Sequence, residues 1–270
     1  MSNPAGEPSA PPRLVHLPET DSTNAEVMRR ALAGEAPPLW VLADRQTAGR
    51  GRAGRAWASQ PGNLFASLLV STYCPPALTG QLSLVAGVAA IDAIRRAAGQ
   101  APPAGLRLKW PNDILVGAAK TGGILVESTT RSSGAERLAI IGIGLNLVSA
   151  PDDLSRAATF LSAHGLSLSP TRALCFLAET MDGWLKTWND AQGFAHVRQA
   201  WLDRAGPIGE PLTVHTAQGI AAGRFAGLDE VGALLVAGSD GTERRFNYGD
   251  VMIGEPESSA AGRRKKADDR

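Results

Sequence analysis

A mixed fold of helices and strands, α/β or α+β, is predicted by two features of the sequence. From Arg13 onward, short β-like apolar runs alternate with helix-length segments, and after Gly206-Pro207 the chain changes to short strands separated by Gly/Asp turns. Leu14 to Leu17 is the first strand. Thr23-Asn-Ala-Glu26 has the Thr-x-x-Glu form of a capping box and opens a helix to about Leu32, with Thr23 as its N-cap. Pro37-Pro38 separates that helix from a strand at Trp40 to Ala43, and Leu64 to Ser71 is the next strand, with a Gly/Arg-rich loop between the two. Leu82 to Ala98 shows a broad apolar helical face, and Pro102-Pro103-Ala-Gly105 turns the chain into a strand at Leu106 to Trp110. Ile114 to Val116, Ile124 to Glu127 and Leu138 to Leu147 are short, apolar and turn-bounded, which suits sequential antiparallel pairing. Helices are expected near Ser155 to His164, Thr171 to Asp190 and His196 to Ala205. Leu212 to His215, Ile220 to Leu228, Ala233 to Ala237 and Arg244 to Tyr248 then form a small β module.

The organisation this implies is a floppy Pro/Ala/Ser-rich tail over 1–12, a larger domain over 13–206, the β module over 207–254, and a solvated basic tail over 255–270 containing Arg263-Arg-Lys-Lys266. At 270 residues, with 27 basic against 26 acidic side chains and a hydrophobic fraction of 44%, the chain is an ordinary globular sequence without a broad basic surface for DNA or anionic membrane. Cys74 and Cys175 have no CxxC or His spacing, so no disulfide framework or zinc site is readable and a cytoplasmic location is expected. The amino end lacks a secretory pattern, and the longest apolar run, Leu82 to Ile91, is too short for a membrane span. His16, His164, His196 and His215 show no triad or metal spacing.

Charge is concentrated locally. Between Asp44 and Asp92 there is no acidic residue, yet Arg45, Arg50, Arg52 and Arg55 fall there, which calls for an anionic ligand. Gly49-Arg-Gly-Arg-Ala-Gly54 matches G-x-G-x-x-G formally, but the following helix and ribose-binding acid of a dinucleotide fold are missing. A phosphate loop is excluded too, because Arg55 and Ala56 stand where Lys and a magnesium-binding hydroxyl belong. Glycines that let backbone N–H groups approach an anion, combined with guanidinium forks, suit a triphosphate or an acyl phosphate. An Arg/Gly RNA-binding loop is the rival, but only Trp57 is near for stacking.

Of five lysines, Lys109 and Lys120 stand apart from the helical Lys186 and the tail pair. Lys109 leads Lys-Trp-Pro-Asn-Asp113, and Lys120 precedes Gly122-Gly123. An ammonium there could neutralise a carboxylate attacking a phosphate, and Asp113 could bring magnesium. Asn112-Asp113 is equally readable as a plain turn, and Asp21-Ser-Thr-Asn24 as a helix cap. Gly142-Ile-Gly-Leu-Asn146 reads as a strand whose glycines permit close approach, leaving Asn146 for a base edge.

Together, Asp21-Ser-Thr-Asn24, Gln46-Thr-Ala-Gly-Arg-Gly-Arg-Ala-Gly-Arg-Ala-Trp57, Lys109-Trp-Pro-Asn-Asp113, Lys120-Thr-Gly-Gly-Ile-Leu-Val-Glu127 and Gly142-Ile-Gly-Leu-Asn-Leu147 resemble the biotin protein ligases, in the family's order. The resemblance covers about Leu14 to Ile253. It implies an α+β catalytic domain related to class II aminoacyl-tRNA synthetases, followed by a small SH3-like barrel. It also implies a two-step reaction: biotin and Mg-ATP give biotinyl-5'-AMP, and a lysine of a biotin carboxyl carrier domain of acetyl-CoA carboxylase or a related carboxylase then attacks the adenylate. By resemblance, Ser22, Thr23, Asn24, Gln46, Gly49, Arg50, Gly51, Arg52, Lys120 and Gly123 serve biotin. Arg50, Arg52, Arg55, Trp57, Lys109, Asn112 and Asn146 serve ATP or the adenylate. Lys120, Arg50, Arg52 and Asp113 are the expected catalytic set, with Asp113 also a magnesium ligand.

The expected partners are biotin, ATP and the carrier domain, without DNA or membrane, the protein being a monomer or weak homodimer. Relatives that are also repressors carry an amino-terminal winged-helix domain, whereas about a dozen residues precede the first strand here, so a repressor role is not expected. Ala53 stands where the family often has another arginine, so one contact of the loop is expected to be absent. A lipoate or octanoate protein ligase is the alternative within the superfamily, although the Gly-Gly-Gly run typical of those proteins is missing. A nucleic-acid-binding module is the alternative from another class.

Overall fold

The structure, a computed structural model, describes residue 11 and residues 13–130, 136–151 and 157–254. Most of the expected amino-terminal tail, the basic tail and the start of the helix expected from Ser155 lie outside the described residues. A seven-stranded sheet contains β1 (Leu14–Thr20), β2 (Leu39–Gln46), β3 (Leu64–Thr72), β4 (Leu106–Lys109), β5 (Asp113–Val116), β6 (Ala119–Thr130) and β7 (Arg137–Leu145), in the order β1-β2-β3-β7-β6-β5-β4. The β1–β2 pair is parallel and the others are antiparallel, so the α+β assignment and the sequential pairing of β5, β6 and β7 both hold.

The central strands are apolar on both faces because helices cover both faces. On one side Val27 and Ala31 of α1 (Thr23–Leu32) pack with Leu39, Val41, Leu69, Leu138 and Ile140. On the other, the alternate residues Trp40, Leu42, Leu68, Val70, Ala139 and Ile141 meet α2 (Gln81–Ala98) and α3 (Pro170–Trp188), with α4 (Phe194–Leu202) beyond. The segment 76–98 is long and apolar enough to pass as a membrane span by composition, beyond what the run at Leu82 to Ile91 suggests. In this fold 72% of that window is buried, as befits a core helix. Asp92 on α2 accepts hydrogen bonds from Arg204 at 2.9 and 3.0 Å and from Trp184 Nε1 at 2.9 Å, joining three helical segments around one carboxylate.

Two expectations fail here. The described part of the segment near Ser155 to His164 is extended, with a bridge from Ala158 to Lys120, and only Leu161–His164 coils, as a 3₁₀ turn. Its backbone is taken by the sheet instead: Lys120 N donates to Ala157 O and Thr159 N to Lys120 O. The N-cap of α1 is Ser22, not Thr23, and Glu26 pairs with Arg29 and Arg30, so no capping box forms.

The second sheet, β8 (Pro211–Thr216), β9 (Gly219–Leu228), β10 (Leu234–Ala237), β11 (Glu243–Phe246) and β12 (Asp250–Ile253), is antiparallel in the order β11-β10-β9-β8-β12. β12, short and flanked by Gly249 and Gly254, is not evident from periodicity. This sheet is fixed to the first unit by Trp110 Nε1 donating to Gly232 O at 3.1 Å, by Arg198 Nε donating to Leu228 O at 2.8 Å, and by Trp201 of α4 meeting Phe225 edge-on at 6.4 Å. Because Trp201 is 2% exposed and bridges both units, Trp201→Ala is expected to cost about 3–5 kcal/mol of stability, read as a lowered urea midpoint.

Candidate active site

The centre of the sheet is stripped of side chains. Gly142 and Gly144 of β7 and Gly122 and Gly123 of β6 are adjacent in register, and a Cβ on any of them would collide with a neighbour. At Gly142 it would lie 2.2 Å from Asn24 Oδ1, at Gly144 2.7 Å from the Trp57 ring, and at Gly123 2.9 Å from the same ring. The missing side chains at Gly123, Gly142 and Gly144 leave a cleft lined by Phe65, Ile124, Leu125 and Ile143 among others, whereas Gly122 faces the opposite side of the sheet, toward Leu145 and Ile114. It gathers nine of the residues singled out in the sequence: Ser22, Thr23, Asn24, Gln46, Arg50, Gly51, Trp57, Asn112 and Gly123.

One wall of the cleft is polar. It begins at the N-terminus of α1, where Ser22, Thr23 and Asn24 are all buried. Gln46 Oε1, at the end of β2, accepts from Thr23 N at 2.8 Å and lies 3.1 Å from Thr23 Oγ1, while its Nε2 donates to Ser59 Oγ. Asn24 Nδ2 donates to Leu125 O at 3.2 Å and to Glu127 Oε2 at 2.7 Å. Ser67 Oγ of β3 lies between, 2.8 Å from Thr23 Oγ1 and 2.6 Å from Asn24 Oδ1. Gly49 lies under this wall, where a Cβ would be 2.6 Å from Trp57 O.

The arginine loop is a narrow ribbon. Trp57 N donates to Gly49 O, Gly51 N donates to Arg55 O, and a 3₁₀ turn at Arg52–Gly54 holds Ala53 in the left-handed region at φ 54°. The absence of local counter-charge is misleading, because acids from distant strands supply it. Arg50 pairs with Glu127 of β6 at 3.3 Å, and Arg55 with Asp250 of β12 at 2.6 Å. Arg45 pairs with Glu19 and stands outside the cleft. Arg52 Nη1 donates to Asn112 Oδ1 at 3.2 Å, so this loop and the Lys-Trp-Pro-Asn-Asp turn meet at the mouth.

Behind the mouth Asp113, 6% exposed, takes Lys109 Nζ at 2.7 Å on one oxygen and Lys120 Nζ at 2.5 Å on the other. Burial alone would raise its pKa, but Lys120 and then Lys109 outweigh burial and hold the carboxyl below its usual value. With both oxygens taken by ammonium groups, Asp113 does not fit a magnesium ligand, and no group of three or more His, Cys, Asp or Glu able to hold a metal occurs among the described residues. Lys120, the more exposed of the two lysines, also lies 5.3 Å from the centroid of the Trp57 ring.

Asn146 is buried behind this site, where its Nδ2 donates to Thr159 O at 3.0 Å, so the structure does not bring its amide to the cleft. Sequence reasoning missed Ser67, Phe65 and Asp250 and gave Glu127 no role. Nothing in a strand sequence separates Ser67 from any other strand serine, whereas Glu127, an acid closing an apolar strand, is a usable signal.

Residues 17–146 match the Biotin/lipoate A/B protein ligase family and residues 208–254 the Biotin protein ligase C terminal domain. The biotin--[acetyl-CoA-carboxylase] ligase of Paracoccus denitrificans is 39% identical over 235 residues, covering 84% of this chain and 95% of that protein. The bifunctional ligase/repressor of Bacillus subtilis is 35% identical over 222 residues, and the match spans 79% of this chain and 66% of that relative's length. Among solved structures, the biotin protein ligase of Aquifex aeolicus in complex with biotin and ATP superposes with a TM-score of 0.74 at 27% identity, covering 91% of this chain and all of that one.

The ion triad yields a prediction. Because the folded pKa of Asp113 lies below its unfolded value of 3.8, its contribution to stability is complete above that pH and is lost as pH falls through the folded pKa. Urea unfolding between pH 2.5 and 5 is expected to show a shallower acid decline for Asp113→Asn than for the wild type, and lower stability for the variant at pH 7, where two ammonium groups lose their buried anion.

Proposed function

The chain belongs to the biotin protein ligases of the biotin/lipoate A/B protein ligase family, and on that premise we propose that it activates biotin with ATP and transfers it to a lysine of a carboxylase carrier domain. The observation that carries this reading is the polar wall at the closed end of an otherwise apolar slot, with cations gathered at its mouth. A cyclic urea brings both N–H and C=O groups to Ser22, Thr23 and Gln46. A dithiolane ring brings neither, and makes no hydrogen bond to this wall.

The acid's carboxylate then lies toward Lys120 and the arginine loop. One carboxylate oxygen attacks the α-phosphorus of ATP, the bond to the bridging oxygen breaks, and pyrophosphate leaves. Lys120 neutralises the meeting of two anions, and Arg50 and Arg52 close over the joined carboxyl and phosphate. Arg55 and Lys109 serve the outer phosphates, Asn112 fixes Arg52, and Trp57 offers a ring face to adenine. Asp113 acts on this reading through the lysines it holds, as a positioning residue. Magnesium, where it is needed, would enter with the nucleotide. The carrier amine attacks the acyl carbon of the adenylate and AMP leaves, with no covalent enzyme intermediate. Residues 13–206 form the catalytic unit and 207–254 the accessory one, and a cytoplasmic location fits the free thiols Cys74 and Cys175.

The test mixes protein, Mg-ATP, biotin and an apo carrier domain and probes the carrier with streptavidin. Labelling that requires both ATP and biotin is expected. Carrier modification by lipoate with none by biotin overturns the reading. Lys120→Ala is expected to slow single-turnover adenylate formation by about 100-fold while weakening ATP binding far less. A normal single-turnover rate removes Lys120 from its role.

A further inference from the structure

The wall of the cleft contains a closed chain of hydrogen bonds whose direction can be derived by counting protons. At one end Glu127 Oε2 and Leu125 O are acceptors only, so the group of Asn24 that faces them, at 2.7 and 3.2 Å, is its NH₂. Asn24 Oδ1 therefore faces Ser67 Oγ at 2.6 Å and must accept the single Ser67 proton. At the other end the backbone N–H of Thr23 requires Gln46 to present its oxygen, at 2.8 Å, with the amide nitrogen on Ser59. Thr23 Oγ1 then stands between two acceptors, Gln46 Oε1 at 3.1 Å and the Ser67 oxygen at 2.8 Å, with one proton of its own. Because the Ser67 proton is spent on Asn24, only donation to Ser67 puts a hydrogen on the 2.8 Å line between the two hydroxyl oxygens, and this consumes the Thr23 proton inside the wall. Turning it toward the cleft would leave the Thr23 and Ser67 oxygens facing each other at 2.8 Å with no hydrogen between them.

We infer that Ser67, which is fully buried and does not line the cleft, is a specificity-determining positioning residue: it fixes Thr23 as a hydrogen-bond acceptor, so that the site selects a ligand ring bearing an N–H donor. The inference rests on the biotin reading and deepens it, because it states which polarity of ring atom the wall accepts. The same logic gives Glu127 a second task besides its pairing with Arg50, since its carboxylate sets the orientation of Asn24.

The experiment measures dissociation constants for biotin and for its two cyclic-carbamate analogues, in each of which one ring N–H is replaced by oxygen. The proteins are the wild type, Ser67→Ala and Ser67→Cys, with thermal unfolding as a check on folding. In the wild type at least one analogue is expected to bind at least about tenfold more weakly than biotin, the effect of one unmade buried hydrogen bond. In Ser67→Ala the facing oxygen is gone, Thr23 can turn its proton outward, and that ratio is expected to fall to about threefold or less. Ser67→Cys, which keeps the side-chain volume with a weak donor and acceptor, should move the ratio the same way. A merely structural role for Ser67 would weaken biotin and the analogues equally, and an unchanged ratio overturns the proposal. Equal binding of biotin and both analogues by the wild type overturns it without any variant. Absence of biotin binding by the wild type would instead defeat the biotin reading itself.

Discussion

The site depends on a gap in the middle of a sheet. Three glycines, Gly123 of β6 and Gly142 and Gly144 of β7, remove the side chains that would otherwise fill the space between the central strands and the N-terminus of α1. Asn24 can then lie directly against the backbone of Gly142, and Trp57 against Gly123 and Gly144. Glycine in a strand weakens it by roughly 0.5–1 kcal/mol through backbone entropy. Here that cost is spread over strands that are hydrogen-bonded on both edges and covered by helices on both faces, so the sheet tolerates the gap.

The same geometry makes the C-terminal sheet part of the mouth of the cleft. Gly249 O lies 3.5 Å from Arg52, Asp250 pairs with Arg55, and Val251 O accepts from Lys109 Nζ at 2.9 Å. Three consecutive residues of one short strand segment thus touch three of the cations assigned to the nucleotide. Trp110, in the same turn as Lys109, donates to Gly232 of that sheet. The five-stranded unit is accordingly a support for the charged end of the cleft as well as an appended module.

Most of the fold was legible because strand and helix periods are local properties. The helices and the pairing of β5 to β7 follow from apolar spacing and turn residues, whereas β12 escaped because four residues between glycines carry no period. The helix expected near Ser155 is an extended strip in its described part because the backbone of Lys120 takes its hydrogen bonds, a tertiary competition invisible in sequence. Among site residues, Arg50 and Gly123 are legible in local charge and glycine placement, whereas Ser22, Thr23, Gln46 and Trp57 acquire their roles only through the family resemblance. Counter-charge was not legible. An acid-free stretch around four arginines suggested unpaired cations, but Glu19, Glu127 and Asp250 come from other strands, and sequence distance gives no measure of that.

The cations of the cleft fall into two groups by exposure, and the division bears on how a polyanion can enter. The side chains of Arg50 and Arg55 are about half exposed, their partners Glu127 and Asp250 about a third, and ion pairs in such surroundings contribute roughly 0–1 kcal/mol each. A ligand phosphate can take either arginine from its carboxylate with little opposing free energy. The side chains of Lys109 and Asp113 are 11% and 7% exposed, and separating such a pair leaves an uncompensated buried charge at a cost of about 3–5 kcal/mol. Lys109 is therefore a fixed cation. Lys120 shares the same carboxylate but is 28% exposed, and with Lys109 it leaves the triad a net charge of +1 directed at the cleft. The incoming anion meets a rigid positive floor and a pair of exchangeable arginines above it, an arrangement that holds the reacting end of the ligand still while the loop changes partners.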